Sequence, residues 1–335
     1  VAALALGLAV ASAIASACGN GDAGPSRTAN GAGGSPVIII SGSGGTNVNV
    51  ENPTTTVDGG RPMRCDGNGQ CACINVASFG KPAHYGNAND NTDAFQTWLN
   101  TKSSARVDLV RTHTPLTAEL LRNYDVLVLQ ALEDNEGGPF WTFSADEIKA
   151  VSDWVNAGGG IISLMGYGGD AREVEPTNAL LAFSGISYNK DDILAQCPNN
   201  LCYCWGNTIP ISGFLGDHPI AKNLTQIGGF HGRSINAGGA SVIAKSGDAV
   251  VAAGKTIGQG KVFVFADEWI TYTSQWLGSG QQQTVNVNDP CYDPAHDYMM
   301  TADKVFQVPQ FWYNAIKWAA PPTQCFTIDN PTIVK

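Results

Sequence analysis

Apolar residues recur along this chain with two alternating periods. Tyr124-Asp125-Val126-Leu127-Val128-Leu129 is a near-continuous apolar run, as expected of a parallel strand covered on both faces. Ile74 to Phe79, Arg106 to Val110, Ile161 to Met165 and Lys261 to Ala266 read as further strands, with shorter ones at Val242 to Lys245 and Val250 to Ala253. Between them the spacing turns helical. Ala94, Phe95, Trp98 and Leu99 predict a helix that Thr92 caps and that runs to about Thr101, and Thr117 to Arg122 predicts a short one. Ser144 with Glu147 three residues on is a capping box. It opens a helix to Asn156 that buries Ile148, Val151, Trp154 and Val155 and stops at Gly158-Gly159-Gly160. A last amphipathic helix is predicted from about Lys304 to Ala319, with Phe311, Ile316 and Trp318 inward and Pro321-Pro322 ending it. Thr271 to Thr301 shows no clear element and reads as an insertion loop. Strands alternating with helices demand an α/β domain on a mostly parallel sheet with right-handed crossovers.

The N-terminal part has neither period. Val1 to Ala17 is apolar or small and uncharged, too short for a confident membrane span of ~20 residues but suited to the apolar region of a signal peptide. Ala15-Ser16-Ala17-Cys18 resembles a bacterial lipobox, with Ala15 where Leu is usual. Cys18 is therefore the expected lipidation site, and the alternative is an ordinary signal peptide cut near Ala17. Residues 19–64 are rich in Gly, Ser, Asn and Thr, a composition that buries little and reads as a flexible tether. Val37 to Ile40 is a brief β-prone run inside it. The α/β domain is expected over 65–320, and 321–335 is a C-terminal tail.

Charge and cysteine content narrow the setting. Of 335 residues only 14% are charged, and the formal charge is −10. Without a Lys/Arg cluster to offset it, that balance argues against a nucleic-acid partner. Besides Cys18, eight cysteines remain: Cys65, Cys71, Cys73, Cys197, Cys202, Cys204, Cys291 and Cys325. In an oxidising compartment they predict four disulfides. Two clusters hold three each, and an odd cluster must send a bond outside itself. Either the clusters are stapled together, or each uses one of Cys291 and Cys325. The rival is zinc held by Cys71, Cys73, Cys202 and Cys204. The expected location is the outer membrane or cell surface, reached through the lipid; the alternative is a periplasmic or secreted protein.

Four phrases, NYDVLVLQAL, FSADEIKAVSDWVNAGGGIISLMGYGG, GDHPIAKNL and GQGKVFVFADEW, resemble the class I glutamine amidotransferase-like superfamily, in particular its ThuA-like, non-amidotransferase branches. In their order they span roughly residues 74 to 319. The resemblance implies a flavodoxin-like doubly wound sheet with helices on both faces. It also implies where chemistry would sit: a Cys on a tight strand-to-helix elbow, activated by a His-Glu pair from a late strand. Here the elbow reads Leu164-Met165-Gly166-Tyr167-Gly168-Gly169 and the late strand ends Ala266-Asp267-Glu268-Trp269. The nucleophile and the His are both missing, so glutamine hydrolysis is not expected.

In an open α/β sheet, ligands sit beyond the carboxyl ends of the strands. The loops there carry His84, Glu133, Tyr167, Asp170 and Trp269, the expected ligand-binding residues, and further aromatics at Trp141, Tyr272 and Trp276. A binding module is the leading expectation, for carbohydrate or another envelope component. The alternatives are a hydrolase with Glu268, Asp267 and His218 as its acid-base groups, and a structural envelope protein. No cofactor is called for; Asp90 and Asp93 form a weak calcium candidate in a loop that equally suits turn and cap roles.

Overall fold

Alternation within the strands decides the layering. In the computed structural model Val126 and Val128 belong to one buried cluster while Leu127 and Leu129, their neighbours along the strand, belong to another. Ile162 and Leu164 split from Ile161 in the same way, and Phe263 and Phe265 from Val262 and Val264. A sheet with two apolar faces has to be covered on both. The structure describes residues 39–40, 55–57, 61–65, 71–72, 74–81, 94–95, 97–98, 105–134, 138–165, 170–194, 202–205, 208–277 and 284–322. All fall in one compact unit, Ser35–Lys335.

Among the described residues the main sheet has nine strands: β1 (Ile39–Ile40), β2 (Ile74–Phe79), β3 (Ala105–Val110), β4 (Val126–Leu129), β5 (Gly160–Leu164), β6 (Gly213–Phe214), β7 (Ser241–Ser246), β8 (Ala249–Ile257) and β9 (Gly260–Phe265). Their spatial order is β1-β3-β2-β4-β5-β9-β8-β7-β6. Every pair from β1 through β9 is parallel, and β9-β8, β8-β7 and β7-β6 are antiparallel. The inner order β3-β2-β4-β5-β9 is the flavodoxin-like one, as the resemblance implied.

Helices cover the two faces. One is packed by α1 (Ala118–Leu121), α2 (Ala145–Asn156) and α3 (Val174–Leu181) through Leu121, Val151, Val155, Leu180 and Leu181. The Ser144–Glu147 capping box forms as predicted. The other face takes Phe95, Trp276 of α4 (Thr273–Leu277), Ala302 of α5 (Ala302–Val305) and a row from α6 (Val308–Ala319): Phe311, Trp312, Ala315 and Ile316. Three features depart from the sequence reading. The last helix is two, α5 and α6, because Pro309 lacks the N–H that a continuous helix would donate to Val305. The expected insertion loop contains α4 and a small ribbon, Tyr292–Asp293 against Tyr298–Met299. Inside the expected tether, Ile39–Ile40 pairs with Leu109–Val110, the β-prone run capping the open edge of β3, and Thr55–Val57 forms a ribbon with Arg61–Cys65 and with Cys71–Ala72 beyond the tether.

The cysteine framework is described in part. Cys204 and Cys291 are disulfide-bonded, with their Cα atoms 5.4 Å apart, so one cluster does send a bond to Cys291, and Cys204 is not a zinc ligand. Cys65 and Cys71 face each other in the ribbon's backbone register. Cys18, Cys73, Cys197 and Cys325 lie outside the described residues, as do the side chains of Cys65, Cys71 and Cys202.

Candidate functional site at the carboxyl ends of the strands

The switch point between β2 and β4 is drawn shut by the backbone. Past the strand ends, Gln130 N donates to Phe79 O at 3.0 Å and Lys81 N to Ala131 O at 2.8 Å. Side chains repeat the closure: Ser78 Oγ donates to Gln130 Oε1 at 2.6 Å, and Arg111 Nη1 to the carbonyl of Gly80 at 2.8 Å. Glu133, expected on the binding rim, is instead buried, and its Oε2 accepts from Gly138 N at 3.1 Å, which pins the returning loop. Trp141 is core as well, edge-on to Phe79, with its indole donating to Asp134.

The richer cluster lies beyond β5 and β9. Its floor is polar and sealed. Arg233 Nε donates to Glu173 Oε1 at 2.7 Å, with the side chains 2% and 6% exposed. Arg233 Nη1 donates to Asp191 O, and its backbone N to Ala266 O at 3.0 Å. Among the described residues Arg233 Nη2 is buried without a hydrogen-bond partner. Beside it Asp267 is fully buried and accepts backbone N–H bonds from Phe230 and Trp269. Burial, opposed by those amides and reinforced by the Glu173 charge, leaves its carboxyl pushed up to about 8. Tyr188 joins the floor, its hydroxyl donating to Phe265 O at 2.9 Å and lying 3.0 Å from Ser163 Oγ. Glu268 is also buried, and its carbonyl accepts from Thr271 to start the turn Trp269–Thr271.

The rim is aromatic and half-exposed. Trp269 and Tyr272 stack with centroids 4.6 Å apart and planes 13° from parallel, and Phe230 stands edge-on to Trp269 at 5.4 Å. Next to Phe230, His231 Nδ1 lies 3.0 Å from Asp192 Oδ2. His231 has φ +54°, a left-handed backbone that non-Gly residues seldom adopt.

The structure thus gathers Asp267, Glu268 and Trp269 at one strand end and separates them from His218. That imidazole caps the turn Pro219–Ala221, its Nδ1 accepting from Ile220 N at 3.2 Å, and packs on Trp318. Its charge neighbour is Lys261 near the start of β9, roughly 20 Å along the strand from Asp267 at ~3.3 Å per residue. Asp170 caps the turn Ala171–Glu173 and pairs with Arg172 at 2.6 Å; the guanidinium and the Arg172 N–H hold its carboxyl down at about 2. Trp276 is core, its indole donating to Ile270 O. Tyr167, His84, Asp90 and Asp93 fall outside the described residues, as do Gly166 to Gly169 of the elbow. Sequence reading left Glu173, Arg233 and the His231–Asp192 pair without a place at the site. They come from turns and loops with no periodicity, and no local pattern marks them: Glu173 is flanked by Arg172 and Glu175, and Arg233 lies in a run of Gly, His and Ser.

No family model matches this sequence, and no curated protein matches it either. Several solved structures are similar in fold at low identity. A cytoplasmic protein of Salmonella typhimurium LT2, STM1381, is 18% identical, with 58% of this chain and 89% of that one covered at a TM-score of 0.43. A second from Salmonella typhimurium, STM3548, is 12% identical over 74% and 100%, at 0.47. A cold-adapted β-galactosidase from Rahnella sp. R3 is 15% identical over 63% of this chain and 30% of its own, at 0.40.

Proposed function

We propose that this chain is an exported, lipid-anchored binding domain of the amidotransferase-like class, without glutamine hydrolysis, that recognises a hydroxyl-rich ligand such as a carbohydrate at the carboxyl ends of β5 and β9. One observation carries the reading: the acids at that edge are sealed and hold the fold, while the open rim is the stacked Trp269–Tyr272 pair. A flat aromatic platform suits the apolar face of a sugar ring. Arg233 Nη2 supports it as a donor that is buried without an acceptor among the described residues, since such groups take a ligand oxygen or a trapped water. The anchor and the envelope location rest on Cys18 and the apolar segment before it.

The test is a tryptophan-fluorescence titration of the full chain with envelope oligosaccharides. Saturable binding is expected, weakened at least ~10-fold, about 1.4 kcal/mol, in Trp269→Ala. Binding unchanged in Trp269→Ala and Tyr272→Ala rejects this edge as the site, and ammonia release from glutamine rejects the non-hydrolytic reading.

The His231–Asp192 pair favours a second reading, a surface hydrolase. A carboxylate on Nδ1 fixes the tautomer and orientation of an imidazole, the arrangement of an acid-base histidine. Under that reading turnover of a glycan or ester substrate is lost in His231→Ala and in Glu268→Gln. A structural envelope role is the remaining alternative, and it predicts assembly into larger particles with neither binding nor turnover.

A further inference from the structure

A second concave site lies on the α6 face of the sheet, at the opposite end of β9 from the aromatic rim. It is a cavity of about 460 Å³, within the range of small-molecule sites and too small for a macromolecular partner. Three lysines line it, Lys222, Lys261 and Lys317, and among the described residues no carboxylate does. Among the described residues none of the three makes an ion pair. In a chain of net charge −10 this is a local inversion of sign, and like charges around one cavity repel until an anion enters.

The frame of the cavity is built rather than incidental. Gln310 and Asn314, one turn apart on α6, line it although each is only 6% exposed. Gln310 Nε2 donates to Asn314 Oδ1 at 2.8 Å, and Asn314 Nδ2 donates to Ile220 O at 2.9 Å and to Lys222 O at 2.7 Å. Those bonds clamp the turn Pro219–Ala221 to α6 and fix the backbone that carries Lys222. Further along α6, Lys317 Nζ meets the Tyr313 hydroxyl at 3.2 Å, and Lys261 Nζ donates to Trp318 O at 2.6 Å while lying over the Trp318 ring. Lys222 and Lys317 are exposed, Lys261 half-buried.

We propose that this cavity binds a small ligand through an oxyanion, a phosphate or carboxylate group, with Lys222 and Lys317 as its direct partners and Lys261 completing the positive wall. Burial holds the Lys261 ammonium below its ordinary range, as expected of a cation whose counter-ion is a ligand. The site is independent of the aromatic rim, and its fate does not decide that reading.

The test is calorimetric titration of the full chain at constant ionic strength with glucose 6-phosphate, glucuronate and glucose. One or both charged sugars bind and glucose does not; which of them binds tells phosphate from carboxylate. Added salt weakens the binding. Lys222→Gln with Lys317→Gln weakens it at least ~10-fold, while Lys304→Gln, outside the cavity, leaves it unchanged. Both cavity substitutions are at exposed positions, and an unaltered melting curve verifies the fold. The proposal is overturned if glucose binds as well as the charged sugars, if neither charged sugar binds at roughly 10 mM, or if the double variant keeps full affinity.

Discussion

Arg233 and Glu173, 60 residues apart in the chain, meet in a nearly solvent-free ion pair of 2.7 Å beneath the carboxyl end of β9. Removing one partner leaves the other charge buried, which typically costs about 3–5 kcal/mol. Glu173→Gln and Arg233→Met are each expected to lower stability by that order in urea denaturation. Combined Glu173→Gln and Arg233→Met is expected to cost less than the sum, because it strands no charge. Additive losses would mean that the two side chains are not coupled.

Asp267 gives a pH dependence with a definite sign. Folded, it keeps its proton up to about pH 8; unfolded, it loses it near ~3.9. Between those values the folded chain binds more protons than the unfolded one, so stability falls as pH rises, by at most ~1.4 kcal/mol per pH unit. The contribution is fully present below about pH 4 and fully lost above about pH 8. Asp267→Asn is expected to flatten the stability profile across that window. Denaturation midpoints of both proteins from pH 4 to 8 decide the matter, and parallel profiles would refute it.

The scaffold was legible wherever a local pattern matches its surroundings. The apolar run ending at Leu129 and the box at Ser144 and Glu147 needed no long-range information, and both elements fall where the periodicity puts them. The break before α6 was marked only by Pro309, a residue compatible with the first turn of a helix as well as with its interruption. The floor of the candidate site was illegible for a different reason. Glu173, Asp191, Arg233 and Asp267 come from four separate segments, and only the closure of the sheet brings them together. His218, which occurs in a family-like phrase, has a local role: it caps a turn and packs on Trp318.

The Cys204–Cys291 bond spans 87 residues and joins the turn at Cys202–Trp205 to the segment after α4. Cys291 packs with Cys204 and Met299 in a small cluster separate from the two cores of the sheet. Chain-entropy arguments for a loop of this length give up to about 4.6 kcal/mol. The double change Cys204→Ser with Cys291→Ser is expected to lower stability by roughly 2–5 kcal/mol and to open 284–301 first to protease. Peptide mapping of the unreduced chain must show the 204–291 cross-link, and a different pairing would contradict the fold at this corner.

The three glycines after α2 bring helix, strand and neighbour closer than any other residue allows. Gly158 has φ +113°, a backbone that costs an L-residue strain. A Cβ on Gly159 would strike the indole of Trp154, and one on Gly160 would strike the main-chain oxygen of Ala319 in α6. The indole is a side chain and has some freedom to shift, although its N–H is already committed to Tyr124 O at 3.3 Å. The carbonyl at the end of α6 has none without moving the helix off β5. Gly160→Ala is therefore expected to be the more damaging of the two, by about 3 kcal/mol against about 1 for Gly159→Ala, the span typical of overpacked sites. Thermal denaturation of the pair provides the comparison, and equal losses would show that the close approach of α6 to Gly160 is not what holds the glycine there.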